Sequence, residues 1–207
     1  MLYSAWPYLW RDPLHHFADG FKAMLHYNAW GGAVVFRGKL IPGAEIPWTY
    51  FPVWFSISTP LVWLAMGILG IGWLCLDFFR RSLPFITNTP ERNFVLAALC
   101  FFAPVLAVIV FHSVIYDDWR HLYFVYPAYI LLGLYAVNKL LQSRFKPAII
   151  ALCSVQLGIT AYQMVKLHPF QQVYFNELAD HRPEALHNNY DLEYWGCGFK
   201  QALEYLT

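Results

Sequence analysis

Four stretches of the chain run without Asp, Glu, Lys or Arg, at residues 46–76, 93–116, 122–138 and 147–165. About 20 apolar residues rising 1.5 Å each cross the roughly 30 Å hydrocarbon core of a bilayer, so each stretch has the length of a span. The third run of 17 residues needs its flanks, and the first, with 31, is too long for one crossing. Pro47, Pro52 and Pro60 punctuate the early part of that first run. The helix itself is therefore predicted at 59–79, with Trp48, Tyr50 and Trp54 at the headgroup level. The remaining spans are predicted at 94–116, 122–140 and 147–165, with a kink at Pro104. The pattern implies an all-α integral membrane fold in three parts: an extracytoplasmic or interfacial segment at 1–57, a four-helix membrane region at 58–165, and an extracytoplasmic tail at 166–207.

Outside the spans the periodicity changes. Leu14, Phe17, Phe21, Met24 and Leu25 recur at spacings of three and four, while His15, His16, Asp19 and Lys22 fall off that stripe. An amphipathic helix at about 12–28 follows, opened by Asp12 as N-cap and Pro13 in the first turn. Such a helix lies in the outer headgroup layer or packs on the protein's own outer surface. Trp30-Gly31-Gly32 ends it, and a short hairpin or loop is expected around Arg37-Gly38-Lys39. The tail turns acidic after Glu177 and carries a last helical pattern in Phe199, Ala202, Leu203 and Leu206.

Composition agrees with the pattern. Of the 207 residues 58% are hydrophobic and only 13% charged, against about 25% charged in soluble domains, so the polar surface of a soluble fold is missing. A net charge of +1 provides no basic field for nucleic acid. The cysteines have no CxxC spacing, and three of the four lie in apolar stretches, which gives neither a zinc site nor a disulfide framework. His15, His16 and Asp19 lack a further ligand at recognisable spacing, so no metal site is expected. Arg80, Arg81 and Arg92 follow the first span, and Lys139, Arg144 and Lys146 follow the third. The positive-inside rule puts both loops in the cytoplasm and both termini of the chain outside, in the inner or plasma membrane. No signal peptide precedes residues 1–57, so an origin as the C-terminal piece of a longer protein is expected.

The spans are expected to hold no ionisable residue besides His112, which weighs against a proton-driven transporter and moves any chemistry to the outer face. There Asp117, Asp118, Arg120 and His121 are expected in a five-residue turn between two helices. Arg120 offers a planar fork of donors suited to a phosphate or pyrophosphate, and His121 adds a donor whose charge responds to it. Asp117 and Asp118 could orient these two or act as a general base. The plain alternative is a polar turn whose Asp and Arg neutralise each other at the interface. Tyr116, Trp119, Tyr123 and Tyr126 read either as an aromatic belt or as a stacking surface for a sugar or prenyl chain.

The stretch from Tyr116 to Pro127 resembles the Asp-x-x-Arg-His-x-x-Phe-x-x-Pro segment of GT-C glycosyltransferases, in the bacterial branch related to dolichyl-phosphate-mannose protein mannosyltransferases (glycosyltransferase family 39). Three further segments are similar in the same order: Trp6 to Trp10 with Asp12-Pro13; Pro47 to Pro52; and His168-Pro169-Phe170 through Tyr174-Phe175-Asn176 with Tyr194-Trp195-Gly196. The resemblance implies a hexosyltransferase that takes a sugar from a polyprenyl-phosphate carrier, with no other cofactor, and attaches it to an acceptor glycan, lipid or protein at the extracytoplasmic face. It implies Arg120 and His121 as phosphate contacts supported by Asp117. The family's base, an Asp of the first outer loop, has no counterpart in this chain, so the catalytic residue is unknown and the chain alone is expected to be inactive. Many members of the family that it resembles carry Gly or Asn where Asp118 stands. The competing reading is a non-catalytic membrane subunit or transporter fragment. A lipid-linked polymer ligase or polymerase would call for a large Arg-rich outer loop rather than this short one.

Overall fold

The computed structural model describes residues 6–25, 30–81, 89–192 and 196–206. Asp12 opens helix α1 (Pro13–Leu25), its carboxylate accepting the His15 backbone N–H at 3.2 Å. Residues 26–28 of the expected helix lie outside the described part. The hairpin follows as β1 (Ala33–Phe36) and β2 (Lys39–Pro42), antiparallel, with Val34 opposite Ile41. Arg37 and Gly38 turn it with φ of 52° and 75°, the two positive values that match the twist of a tight hairpin.

The first charge-free run then makes two helices. Helix α2 (Tyr50–Ser58) tolerates Pro52 because its first turn has no backbone partner for that N–H. Thr59 is extended, as the residue before a proline must be, and α3 (Leu61–Arg81) starts beyond Pro60. Tyr50 and Trp54, expected at the headgroup level with Trp48, turn into the protein's own core. Tyr50 is 0% and Trp54 2% exposed, and only Trp48 stays outside. A helix at that point turns the two rings inward, where Trp54 meets Phe175 and Tyr190 and Phe55 meets Tyr129 at 4.7 Å.

The other long helices are α4 (Thr89–Val110), α5 (Tyr126–Leu141) and α6 (Lys146–Lys166), followed by short α7 (Pro183–Asn189) and α8 (Phe199–Leu206). With 70% of the chain helical and four helices among the described residues long and apolar enough to cross a membrane, this is an all-α multi-pass membrane fold. Helices α3 and α5 run parallel at its centre, with α4 antiparallel against α5 through Phe94–Tyr135 and Phe101–Tyr129. Small residues permit the central contact: a Cβ added at Gly70 would overlap the Leu132 carbonyl oxygen, and one at Gly67 would overlap the Tyr129 ring. Without a hydrophobic force between helices in lipid, such close backbone approach is what supplies the attraction. The Tyr129 hydroxyl adds a hydrogen bond to the Leu64 carbonyl at 2.7 Å.

Two expectations about the spans change. Asp77, in the last turns of α3, is 9% exposed, pairs with Lys139 at 2.6 Å and accepts the Tyr135 hydroxyl, so His112 is not the one ionisable group the helices involve. His112 in turn lies outside the helix. The span expected at 94–116 stops at Val110, where Ser113 N–H reaches Val108 O at 3.0 Å, His112 N–H reaches Ile109 O at 3.4 Å, and His112 takes a φ of 50°. This is the double hydrogen bond of a left-handed helix stop, with His where Gly is usual, which is why no sequence signal marked it. The third span begins with a 3-10 turn (Arg120–Val125), since Pro127 has no N–H to offer the Tyr123 carbonyl and Tyr126 bonds it instead.

Candidate functional site

Alternation of the helices gathers the hairpin, α2, residues 111–125 and the start of the tail at one end of the bundle. Asn176 ties them together: itself buried, it bonds Ile57 O at 2.7 Å through its backbone N–H, and its side-chain amide donates to the carbonyls of half-buried Ser56 and buried Thr59. Trp119 joins from the other side, donating through Nε1 to Ser58 Oγ at 2.7 Å and packing on Phe55 at 5.1 Å.

On this platform the expected residues come together, though in a nine-residue loop (111–119) leading into the 3-10 turn rather than in a five-residue turn. Asp117 and Asp118 both hold left-handed backbone, φ 53° and 64°, which Asp tolerates better than most side chains. The bend lets Asp117 meet Arg120 at 2.7 Å while Asp118 turns inward to accept the Tyr123 hydroxyl at 2.8 Å. The Arg120 guanidinium lies 5.1 Å from the centre of the Tyr116 ring; that ring stacks on Trp30 at 4.3 Å and takes the His121 edge at 4.7 Å. Arg120 is thus held at an edge by a carboxylate and across its face by an aromatic ring. Tyr116 and Trp119 serve as internal supports and not as an outward belt.

Residues that the linear pattern did not single out complete the site. Asp191, from the tail, accepts the Val35 backbone N–H at 2.9 Å, and Tyr190 bridges Phe36. Burial raises the Asp191 carboxyl above its ordinary range against the Val35 hydrogen bond, and the charge of Asp117 raises it further. Asp117 is raised too, by burial first, with Arg120 and His121 pulling it back. The Tyr50 phenol is pushed well above its usual value by burial and by the carboxylates of Asp191, Asp118 and Asp117. Three carboxylates therefore share one electrostatic neighbourhood, although among the described residues no three His, Cys, Asp or Glu side chains form a metal-binding group. Tyr194 and Trp195 lie outside the described residues.

A cavity of about 480 Å³ lies beside this cluster, between the 3-10 turn, the start of α5, the end of α6 and residues 171–174. Trp119, Tyr123 and Tyr126 line one side, Thr160, Gln163 and Met164 another. Its lining carries no charge, and Asp117, Arg120 and His121 are not part of it. No family model, curated protein or solved structure matches the chain at a significant level.

Proposed function

We propose that this chain is the carrier-side portion of a membrane glycosyltransferase, one that moves a sugar from a polyprenyl-phosphate carrier to an acceptor glycan, lipid or protein at the extracytoplasmic face. The observation that carries the reading is convergence. Two segments that resemble the family, Tyr116 to Pro127 and His168 to Asn176, lie far apart in sequence and both bond residues 56–59, through Trp119 and Asn176, while a third, Pro47 to Pro52, meets Trp119 through the Phe51 ring at 5.9 Å. In this reading Arg120 takes the carrier phosphate with its planar fork, His121 adds a second donor, and Asp117 holds Arg120 in register until the phosphate arrives. Donors fixed in advance stabilise the charge that develops on the leaving phosphate without reorganising at the moment of transfer. The base that activates the acceptor belongs to a loop with no counterpart in this chain.

The basic residues Arg80, Lys139, Arg144 and Lys146 lie at the opposite end of the helices, which supports an extracytoplasmic site with the termini of this chain on the same side. The rival reading, a non-catalytic membrane subunit, is favoured by the Asp117–Arg120 pair itself, since a self-neutralising turn makes the same contact. Arg120→Ala separates them. Transfer from a polyprenyl-phosphate hexose by the full-length protein is expected to fall by about 10²–10³-fold, with weakened donor affinity and partial recovery in Arg120→Lys. Unchanged turnover and donor affinity would remove the assignment.

A further inference from the structure

Helix α1 stands apart from the packing that unites the rest of this end of the bundle. It packs on a 3-10 turn directly before it (Pro7–Trp10), where the His16 imidazole stacks on the Tyr8 ring at 4.3 Å, and on Trp6, whose ring lies over Gly20. These contacts use its His16 and Gly20 side and leave the apolar stripe outside. Leu14 is 85%, Phe17 52% and Phe21 56% exposed, and Trp10, four residues before Leu14, is 56% exposed. An apolar face of this kind, bare on a protein that spans a bilayer, marks an interaction surface, and the described residues do not cover it.

Three observations identify the cover as lipid. The first is reach. Residues 26–29 connect α1 to Trp30, whose ring stacks on Tyr116 at 4.3 Å in the loop that follows α4. The five chain steps from Leu25 to Trp30 extend at most about 18 Å, so the last turn of the helix stays beside the ends of the spans, where the headgroups lie. The second is area. Each half-exposed ring presents roughly 100 Å², and with Leu14 the face comes to roughly 400 Å². Two copies meeting through it would bury about 800 Å² in total, short of the ~1,000 Å² of a specific interface, whereas hydrocarbon takes up an apolar face of any size. The third is charge. Asp19, paired with His15 at 3.0 Å, stands against Lys22, and Asp12 stands against Arg11. The formal charges cancel, so neither an acidic nor a basic partner is favoured, and the attraction left is that of apolar side chains for acyl chains.

We infer that α1 lies in the headgroup layer of the bilayer at the end of the bundle that carries the Arg120 cluster, with Leu14, Phe17 and Phe21 among the upper acyl chains and His15 and Lys22 in water. The inference needs only the bilayer and stands apart from the transferase reading. Its consequence is positional. Trp30 stacks on Tyr116, and Tyr116 carries the Arg120 guanidinium at 5.1 Å and the His121 edge at 4.7 Å, so the helix ties the cluster to one depth of the membrane.

The test uses the full chain in phosphatidylcholine vesicles. Cys75, Cys100, Cys153 and Cys197 are changed to Ser, and a nitroxide is attached after Leu14→Cys, Phe17→Cys, Phe21→Cys, His15→Cys or Lys22→Cys in turn. In power-saturation EPR the labels at 14, 17 and 21 are expected to meet oxygen, which concentrates among acyl chains, and to escape a water-soluble nickel chelate, at a depth of about 5–10 Å. Labels at 15 and 22 are expected to do the reverse, and added phosphatidylglycerol or high salt is expected to change neither pattern. Nickel access at all five positions puts the face in water and overturns the inference. Shielding from both reagents at 14, 17 and 21 overturns it as well, in favour of a second copy if dilution into more lipid lifts the shielding and of another segment of this chain if it does not. A pattern that requires phosphatidylglycerol or disappears in salt overturns the apolar attachment. Where the cysteine-free protein does not fold, p-benzoylphenylalanine replaces Phe17 or Phe21 in the protein with its native cysteines. Illumination is then expected to add the mass of one phosphatidylcholine, several-fold more often than with the same group at Lys22; a cross-linked dimer, an internal cross-link or no product overturns the inference.

Discussion

The centre of the fold can be tested at a single carbon atom. In the α3–α5 contact an added Cβ at Gly70 would overlap a backbone oxygen, that of Leu132, which cannot rotate away as a side chain can. Gly70→Ala therefore forces the two helices apart by about 1 Å or more before ordinary contact is restored. A gap of 0.5–1 Å forfeits about a quarter to a half of each dispersion contact across it. Leu132 is fully buried at this point, and the Tyr129 hydrogen bond to Leu64 spans the same seam. Overpacking costs typically about 1–3 kcal/mol and a strained hydrogen bond about 1 kcal/mol more, so the expected loss is roughly 2–4 kcal/mol. At about 2–4 °C per kcal/mol for a chain of this size, the unfolding midpoint should fall by roughly 4–16 °C. The comparison is internal. Gly72, on the same helix, meets nothing within 4 Å, and a Cβ at Gly133 would sit 3.4 Å from Gly67 N, an ordinary contact. Thermal unfolding in one detergent should rank Gly72→Ala as neutral, Gly133→Ala as mild and Gly70→Ala as severe. If Gly70→Ala unfolds with Gly72→Ala, the close approach of α3 and α5 does not hold the protein together.

Further outcomes follow from the same structure. Asn176→Ala leaves the half-buried Ser56 and buried Thr59 carbonyls without their donor and should cost about 2–4 kcal/mol, with Asn176→Asp no better because it too lacks the amide; chemical denaturation reads both. For the Asp77–Lys139 pair, Lys139→Met should restore part of the stability lost in Asp77→Asn, a coupling of about 1 kcal/mol in a double-mutant cycle; simple additivity would deny the contact. Asp117 and Asp191 have raised carboxyls, so the folded state binds more protons than the unfolded one and stability should fall as pH rises from about 4 through their raised values. Asp191→Asn, which keeps an acceptor for Val35, should flatten that slope; a wild-type profile no steeper than the variant's contradicts it. Asp180, held down to about 2 by Arg182, acts with the opposite sign and only below the ordinary carboxylate range.

The linear pattern determined a good deal by itself. Charge-free runs of membrane length and scarce charge are statements about transfer from water, which depend on composition and not on partners, and they located all four spans to within a few residues except at the end of the second. The Asp12 cap and the Gly38 hairpin were legible because their signals are local, a side chain or a φ angle acting within a few residues. The Arg120, Asp117 and His121 cluster was legible for the same reason, being nearly contiguous. What only the tertiary structure decided were the relations that cross the chain. His112 ends a helix in a conformation whose usual residue is Gly, so nothing announced it, and Tyr50 and Trp54 went to the core although aromatic residues near a span normally sit at the headgroups. Asp191 reaches Val35 across 156 positions, Asp77 reaches Lys139 from another helix, and Gln172 closes a cavity whose other walls belong to α5 and α6. Periodicity tells a side chain which way to face along its own element. Which groups it then meets depends on how separate elements pack, and at this end of the bundle that packing is set by the buried bonds of Asn176 and Trp119.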